Sequence, residues 1–224
     1  ITGDILKNHD ILIENGKIFK IAGNISLNDK KTKIIDVTGL NVYPGFIETH
    51  CHIGISEEKI GLDGNDCNET TNPITPQLRA IDAINPMDSA FHCALAAGIT
   101  TVMTGPGSSN VIGGQFSCIK TVGRCIDNMI IKAPAAMKIA LGENPKATYG
   151  DNGNMPITRM AIASLLRDEL QSAKDYYNEK LRHDNSFQKN YKYEAYIPLF
   201  ERKIPLKAHV HRLDDIYTAI RIAK

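Results

Sequence analysis

Two histidines two places apart, His50 and His52, close the run YPGFIETHCHIG. On a strand, residues i and i+2 share a face and stand about 6.5–7 Å apart, so both imidazoles project together while Cys51 points away. Such a pair could reach one cation; the competing reading is two hydrogen-bonded histidines at a strand end. The loop that follows, GISEEKIGLDGNDCNETTNPITPQLRAIDAINP, is long and polar and carries Asp63, Asp66, Glu69 and Arg79 near that strand end. Arg79 is the candidate to grip a substrate carboxylate bidentately, against the alternative of a solvated surface loop. A second stretch, GPGSSNVIGGQ, could offer backbone N–H groups to an anion. It has neither GxGxxG spacing nor a GK[ST] ending, so it is no nucleotide loop. His92 reads as a packed or surface histidine, and His9 and His183 lie in polar stretches without a signal.

The elements that must position these groups fall into two parts. From Asp10, DILIENGKIFKIAG alternates like two strands joined at Asn15-Gly16, the pair that suits a type I′ hairpin turn. The segment KIIDV reads as another strand, followed by a turn at Thr38-Gly39, and Pro44-Gly45 marks a candidate boundary. After it the rhythm changes to strand and helix in alternation: FIETHCHI, a helix from Pro86 through Ala97 with Asn85 as N-cap and Gly98 as C-cap, then ITTVMTG. SCIKTVG, AAMKIALGENP and IPLKAHVH are further strands. TRMAIASLLRDELQSAKDYYNEKLR is a long helix with Met160, Ala163, Leu166, Leu170, Ala173 and Tyr177 as its apolar stripe; a second helix ends in YIPLFERK, and LDDIYTAIRIAK begins a last one. This βαβ grammar predicts a parallel sheet covered by helices. A (β/α)8 TIM-like barrel needs about 250 residues, so the chain from His50 to Lys224 accommodates about five βα units of an incomplete barrel. The expected domains are therefore 1–43, a partial β-sandwich, and 44–224, the first part of the barrel.

Composition narrows the class. With 224 residues, 26 Lys+Arg against 25 Asp+Glu and 42% hydrophobic content, the chain can bury a core and is nearly neutral. No basic stripe with interleaved aromatics argues for nucleic acid. No apolar run of about 18 residues argues for a membrane span, and the opening ITGDILKNHD is too polar for a signal peptide, so a cytoplasmic protein is expected. Cys51, Cys67, Cys93, Cys118 and Cys125 are odd in number and never form CxxC, which points to reduced thiols rather than a disulfide frame or a zinc ribbon.

PGFIETHCH resembles the first-strand signature of the amidohydrolase superfamily, PG(F/L)(I/V)(D/E)xHxH, and the preceding ILIENGKIFKIAG and IIDVTGLNVYPG resemble the small sandwich that leads into it. The resemblance runs along nearly the whole chain and is closest to the imidazolonepropionase-like and Xaa-Pro dipeptidase-like branches. It implies a metal-dependent hydrolase of C–N bonds in amides, cyclic amides or peptide-like compounds, acting through a metal-activated water on a small-molecule substrate. The metal would be one or two divalent ions, with zinc expected, and the ligands His50, His52, Lys138 and His209. Lys138 resembles the fourth-strand lysine that relatives carry as a carbamate, with Glu143 as the alternative carboxylate. His209 resembles the fifth-strand ligand, and His211, on the same face, joins Arg79 as a candidate for substrate binding. The relatives' sixth-strand histidine and eighth-strand catalytic aspartate have no counterpart before Lys224, so no catalytic residue is assigned here and this chain alone is an uncertain catalyst. A deaminase of the same superfamily and a non-catalytic metal-binding or scaffold chain are the rival readings. Association into a homo-oligomer stays open.

Overall fold

The computed structural model describes residues 3–27, 31–58, 60–151, 153–182 and 187–224. The chain divides into two compact units, Ile1–Tyr43 and Pro44–Lys224.

In the first unit, β1 (Asp10–Glu14) and β2 (Lys17–Ala22) form an antiparallel hairpin. Asn15 and Gly16 take φ of 51° and 72°, the two positive values that a type I′ turn demands. Gly39, at φ 78°, makes the turn after Thr38, with Leu40 N–H on Val37 C=O. The expected strand at KIIDV is absent: residues 33–37 are irregular, since alternation alone supplies no neighbouring ladder for it to join.

The second unit is built on a five-stranded sheet in the order β3 (Phe46–Cys51), β4 (Ile99–Thr104), β5 (Ile112–Lys120), β6 (Ile130–Ala140), β7 (Leu206–His209). β3–β4 and β6–β7 are parallel, whereas β5 runs antiparallel to both its neighbours. This corrects the all-parallel expectation. Residues 105–111 link β4 to β5 without a helix, and a link that short cannot make the crossover a parallel pair requires. The glycines of GPGSSNVIGGQ mislead here, because Gly113, Gly114 and Gln115 belong to β5 itself. Gly114 sits at φ 120°, and a Cβ there would lie 2.5 Å from Leu78 C=O, so glycine lets the 75–79 segment pack directly against the strand.

α1 (Ser89–Ala96) crosses from β3 to β4. Its N-cap is Asp88 rather than Asn85; the Asp88 carboxylate accepts from Ala90 N–H at 3.1 Å, while Asn85 caps only a preceding turn through Met87 N–H. Gly98 closes the helix at φ 84°. Between β6 and β7 lie α2 (Glu143–Gly150), α3 (Arg159–Arg182), α4 (Tyr191–Glu194) and α5 (Ile197–Phe200), so the single helix expected to end in YIPLFERK is two short ones. Thr158 opens α3 by accepting from Ala161 N–H. The buried stripe of α3 runs through Ile162, Ala163, Leu166, Glu169, Ala173 and Tyr176, rotated from the expected one; Met160 stays 79% exposed. Glu169 is tolerated inside because Lys192 and Tyr196 bond its two oxygens. α6 (Leu213–Ala223) follows β7.

Two apolar cores hold the helices to the sheet. Phe91 of α1 meets Val102 of β4 and Ile119 of β5, with Ile55 and Ile84. Met137, Ile139 and Leu141 meet Ile162 and Leu166 of α3, together with Tyr196. No helix among the described residues is long and apolar enough to cross a membrane.

Candidate metal and substrate site

The C-terminal ends of the four parallel strands carry the candidate chemistry. His50 is the penultimate residue of β3 and His52 follows it; Gly105 follows β4; Lys138 lies near the end of β6; His209 ends β7. In the β6–β7 register Lys138 faces Lys207 and Ala140 faces His209.

The His50 and His52 rings lie 5.3 Å apart between centroids and nearly perpendicular, as the i, i+2 spacing predicts. His52 Nδ1 is 2.7 Å from Gly105 C=O. A carbonyl only accepts, so Nδ1 donates, and in the neutral ring this leaves Nε2 with the lone pair that suits a ligating imidazole. Beneath both rings sits Phe116 of β5, fully buried, with centroids 5.4 Å from His50 and 6.3 Å from His52. Lys138 Nζ lies 5.7 Å and Lys207 Nζ 5.2 Å from the same ring.

Lys138 is the most telling residue. It is 0% exposed, and its Nζ finds no hydrogen-bond partner among the described residues. Burial, and then the charge of Lys207, push its pKa down to about 8, with Cys67 pulling the other way. The Nε2 of His209 is likewise buried and without a partner among the described residues. Burial first, and then Lys138, Lys207, His52 and His209, push His50 down to about 4. His209 is lowered in the same way by burial, Lys138, His211 and His52. The mutual influence of these groups brings residues from β3, β6 and β7 into one electrostatic cluster that favours neutral imidazoles. Neutral imidazole is the form that binds metal.

Among the described residues, no three His, Cys, Asp or Glu side chains make a ready metal cluster. The donors consist instead of histidines on two strand ends and a lysine, which donates to a cation only after losing its proton or gaining a carboxylate. His211 stacks edge-on with His209 at 4.6 Å and is exposed. Glu143, in the first turn of α2, is exposed. Arg79 forks onto Asp82 through contacts of 2.9 and 2.7 Å, so its guanidinium is already occupied by a carboxylate of the same loop. In the glycine-rich stretch, Gly107 N–H goes to Cys67 C=O and Ser109 N–H to the Asn68 side chain, which leaves those two donors unavailable to an anion. His92 is exposed on α1, His9 bonds Lys7 C=O, and His183 lies outside the described residues.

Phe116, Lys207, Cys67 and Asp88 also shape the site, and sequence reasoning missed them. Lys207 was within reach of that reasoning, since it stands two residues before His209 and shares its face. Phe116 was hidden by the glycines before it. Asp88 holds the loop after the histidine pair, accepting from Gly54 N–H and Glu58 N–H as well as from Ala90.

No protein-family model matches this sequence. Over 178 residues, 73% of this chain, it is 33% identical to the amidohydrolase tasK of Hapsidospora irregularis, covering 18% of that protein. Over 122 residues, 52% of this chain, it is 32% identical to a dihydroorotase of Aquifex aeolicus, covering 23% of it. The structure superposes on the crystal structure of an amidohydrolase from Thermotoga maritima MSB8 with a TM-score of 0.90 and 42% identity, over 95% of this chain and 56% of that one. The chain belongs to the amidohydrolase superfamily. Its mixed α/β fold with a curled five-stranded sheet is the part of an amidohydrolase structure that it matches. The amidohydrolase relatives are longer: this chain spans less than two thirds of the length of each.

Proposed function

We propose that this chain is the metal-holding part of a hydrolase that cleaves C–N bonds in amide, cyclic amide or peptide-like small molecules, with its sheet forming part of a (β/α)8 barrel. The observation that carries the reading is the fully buried Lys138 amine, without a hydrogen-bond partner among the described residues, set among imidazoles from the ends of β3 and β7. An uncompensated buried ammonium is costly, so a position that keeps one calls for a function. The relatives named amidohydrolase and dihydroorotase give that function its direction.

The residues fit a divalent cation. His52 presents Nε2 because Nδ1 is tied to Gly105, His209 Nε2 is buried without a partner among the described residues, and His50 is held neutral. Lys138, with a pKa near 8, has an appreciable neutral fraction at pH 7–8, far more than an ordinary lysine. The neutral amine can add CO₂: a bond forms between Nζ and the carbon, one proton leaves, and an anionic carbamate replaces the cation. That exchange turns an unfavourable buried positive charge into a pair of oxygen donors. Zinc is the metal that imidazole donors and an oxygen would favour, as one or two ions. A cation held there would supply Lewis acidity toward a carbonyl oxygen and an acidified water at neutral pH. The chain's own contribution is to orient His52 through Gly105, to keep His50 and His209 unprotonated, and to floor the site with Phe116 so that water is excluded from below. His211, exposed beside His209, would meet the substrate.

The test is metal content together with a substrate panel. Purified protein should carry zinc, and the His50→Ala/His52→Ala double variant should lose it; equal zinc in both would refute ligation. Hydrolysis of lactams or dipeptides, abolished in the double variant, would support amide cleavage. Release of ammonia from aminated heterocycles alone would favour the deaminase alternative.

A further inference from the structure

The strand order places β3 and β7 at opposite edges of the sheet, with three strands between them. In a flat sheet, four spacings of about 4.8 Å would separate them by about 19 Å. Yet Lys207 Nζ of β7 donates to Thr49 C=O of β3 at 2.5 Å. An extended lysine reaches about 6 Å from Cα to Nζ, so the Lys207 Cα stands within about 9 Å of that carbonyl. The sheet is curled enough that one side chain bridges its two edges across the concave face. On the way, the lysine passes 3.6 Å from Met103 Sδ and lies over the Phe116 ring at 5.2 Å.

The place where it lands matters. The β3–β4 register slips between Glu48 and Cys51, and Thr49 and His50 fall in that slip without register partners on β4. Side chains replace the missing ladder there: Glu48 Oε1 accepts from His50 N–H at 2.8 Å, and Lys207 donates to Thr49 C=O. The backbone that aims His50 is thus held from the far edge of the sheet. On that far edge, Lys207 shares a face with His209, two residues on.

We propose that Lys207 is a positioning residue: its ammonium, anchored on Thr49 C=O, sets the separation between the His50/His52 pair and His209. The strut itself follows from the geometry alone; its consequence for a bound cation rests on the metal-site reading above. With one N–H on Thr49, the thioether beside it and its charge against Phe116, the ammonium is a support rather than a ligand.

The experiment compares the wild-type protein with Lys207→Met, which keeps the stem and removes the donor, and Lys207→Arg, which restores a donor. Circular dichroism establishes that each variant is folded. Hydrogen exchange on metal-free protein should show residues 46–51 of β3 exchanging at least tenfold faster in Lys207→Met, with β5 and β6 unchanged and Lys207→Arg close to wild type. Titration with Co²⁺, followed by its visible absorption, should show at least tenfold weaker binding and an altered spectrum in Lys207→Met, both rescued by Lys207→Arg; losses of 10–100-fold are usual when a residue supporting a ligand is removed. Unchanged exchange in β3 would overturn the strut whatever the metal does. Faster exchange with an unchanged cobalt spectrum and affinity would overturn its positioning role. Wild-type protein that takes up no Co²⁺ would refute the metal reading, while the exchange data would still decide the strut. A Lys207→Met variant that fails to fold, beside a Lys207→Arg variant with wild-type exchange, would support it.

Discussion

Replacing Lys138 with methionine should make the metal-free protein more stable while destroying its capacity to hold a metal. The side chain is 0% exposed, its ammonium lacks a hydrogen-bond partner among the described residues, and burial with Lys207 drops its pKa from 10.5 to about 8. The unfolded lysine keeps its proton up to pH 10.5 and the folded one only up to about 8. The unfolded chain therefore binds more protons between these values, and stability rises with pH across that window. Below pH 8 the penalty is nearly complete. The difference, 10.5 − 8, corresponds to about 3 kcal/mol at pH 7 and shrinks to about 1 kcal/mol at pH 10. Methionine has a similar length and no charge, so Lys138→Met should recover most of that energy. For a unit of this size, about 3 kcal/mol is a rise in Tm of about 6–12 °C at pH 7. The assay is thermal and urea denaturation of both proteins, freed of metal and bicarbonate, at pH 7 and pH 10. A Lys138→Met variant that melts below wild type at pH 7, or whose advantage does not diminish at pH 10, would show that the buried amine carries no such penalty.

The neutral amine also predicts carbamate formation: with ¹³C-bicarbonate, wild type should show a carbamate carbon signal that Lys138→Met lacks, and identical spectra would exclude that chemistry. Because His50 is held near 4 and His209 below its ordinary value, metal-free protein should lose stability as pH falls from about 6.5 to 4, where the unfolded imidazoles take protons that the folded ones refuse. A His50→Asn variant should lose less over that range, and parallel urea midpoints for the two would contradict the assignment. Asp88→Ala removes the acceptor of three backbone N–H groups and should cost about 2–3 kcal/mol in urea unfolding, partly restored by Asp88→Asn; a loss under about 0.5 kcal/mol would show that these bonds contribute little.

The histidine pair was legible because period-2 alternation places i and i+2 on one face whatever the tertiary fold, and the rings do stand together. The Asn15-Gly16 hairpin and the start of α3 at Thr158 were legible for the same kind of reason, since turn and cap chemistry acts within a few residues. The direction of β5 was not. Strand direction depends on the length and path of the connecting chain, and a glycine-rich link reads alike whether it ends in a loop or begins a strand. Asp88 was overlooked because Asn85, three residues earlier, is an equally good cap type, and only the tertiary contacts of Asp88 with Gly54 and Glu58 decide between them. The partnerless state of Lys138 could not be read at all: whether a lysine at a strand end snorkels or stays buried is settled by what covers it, here Gly113 and Phe116 of β5.

The central claim, that imidazoles from β3 and β7 together with Lys138 serve one cation, is tested most directly by crystals grown with zinc and an anomalous-difference map at the zinc edge. The expected result is a peak about 2.0–2.1 Å from nitrogen atoms of His50, His52 and His209, with density continuing from Lys138 Nζ toward it. Zinc bound elsewhere, or a map with His209 turned away from a cation held by the β3 pair alone, would contradict it.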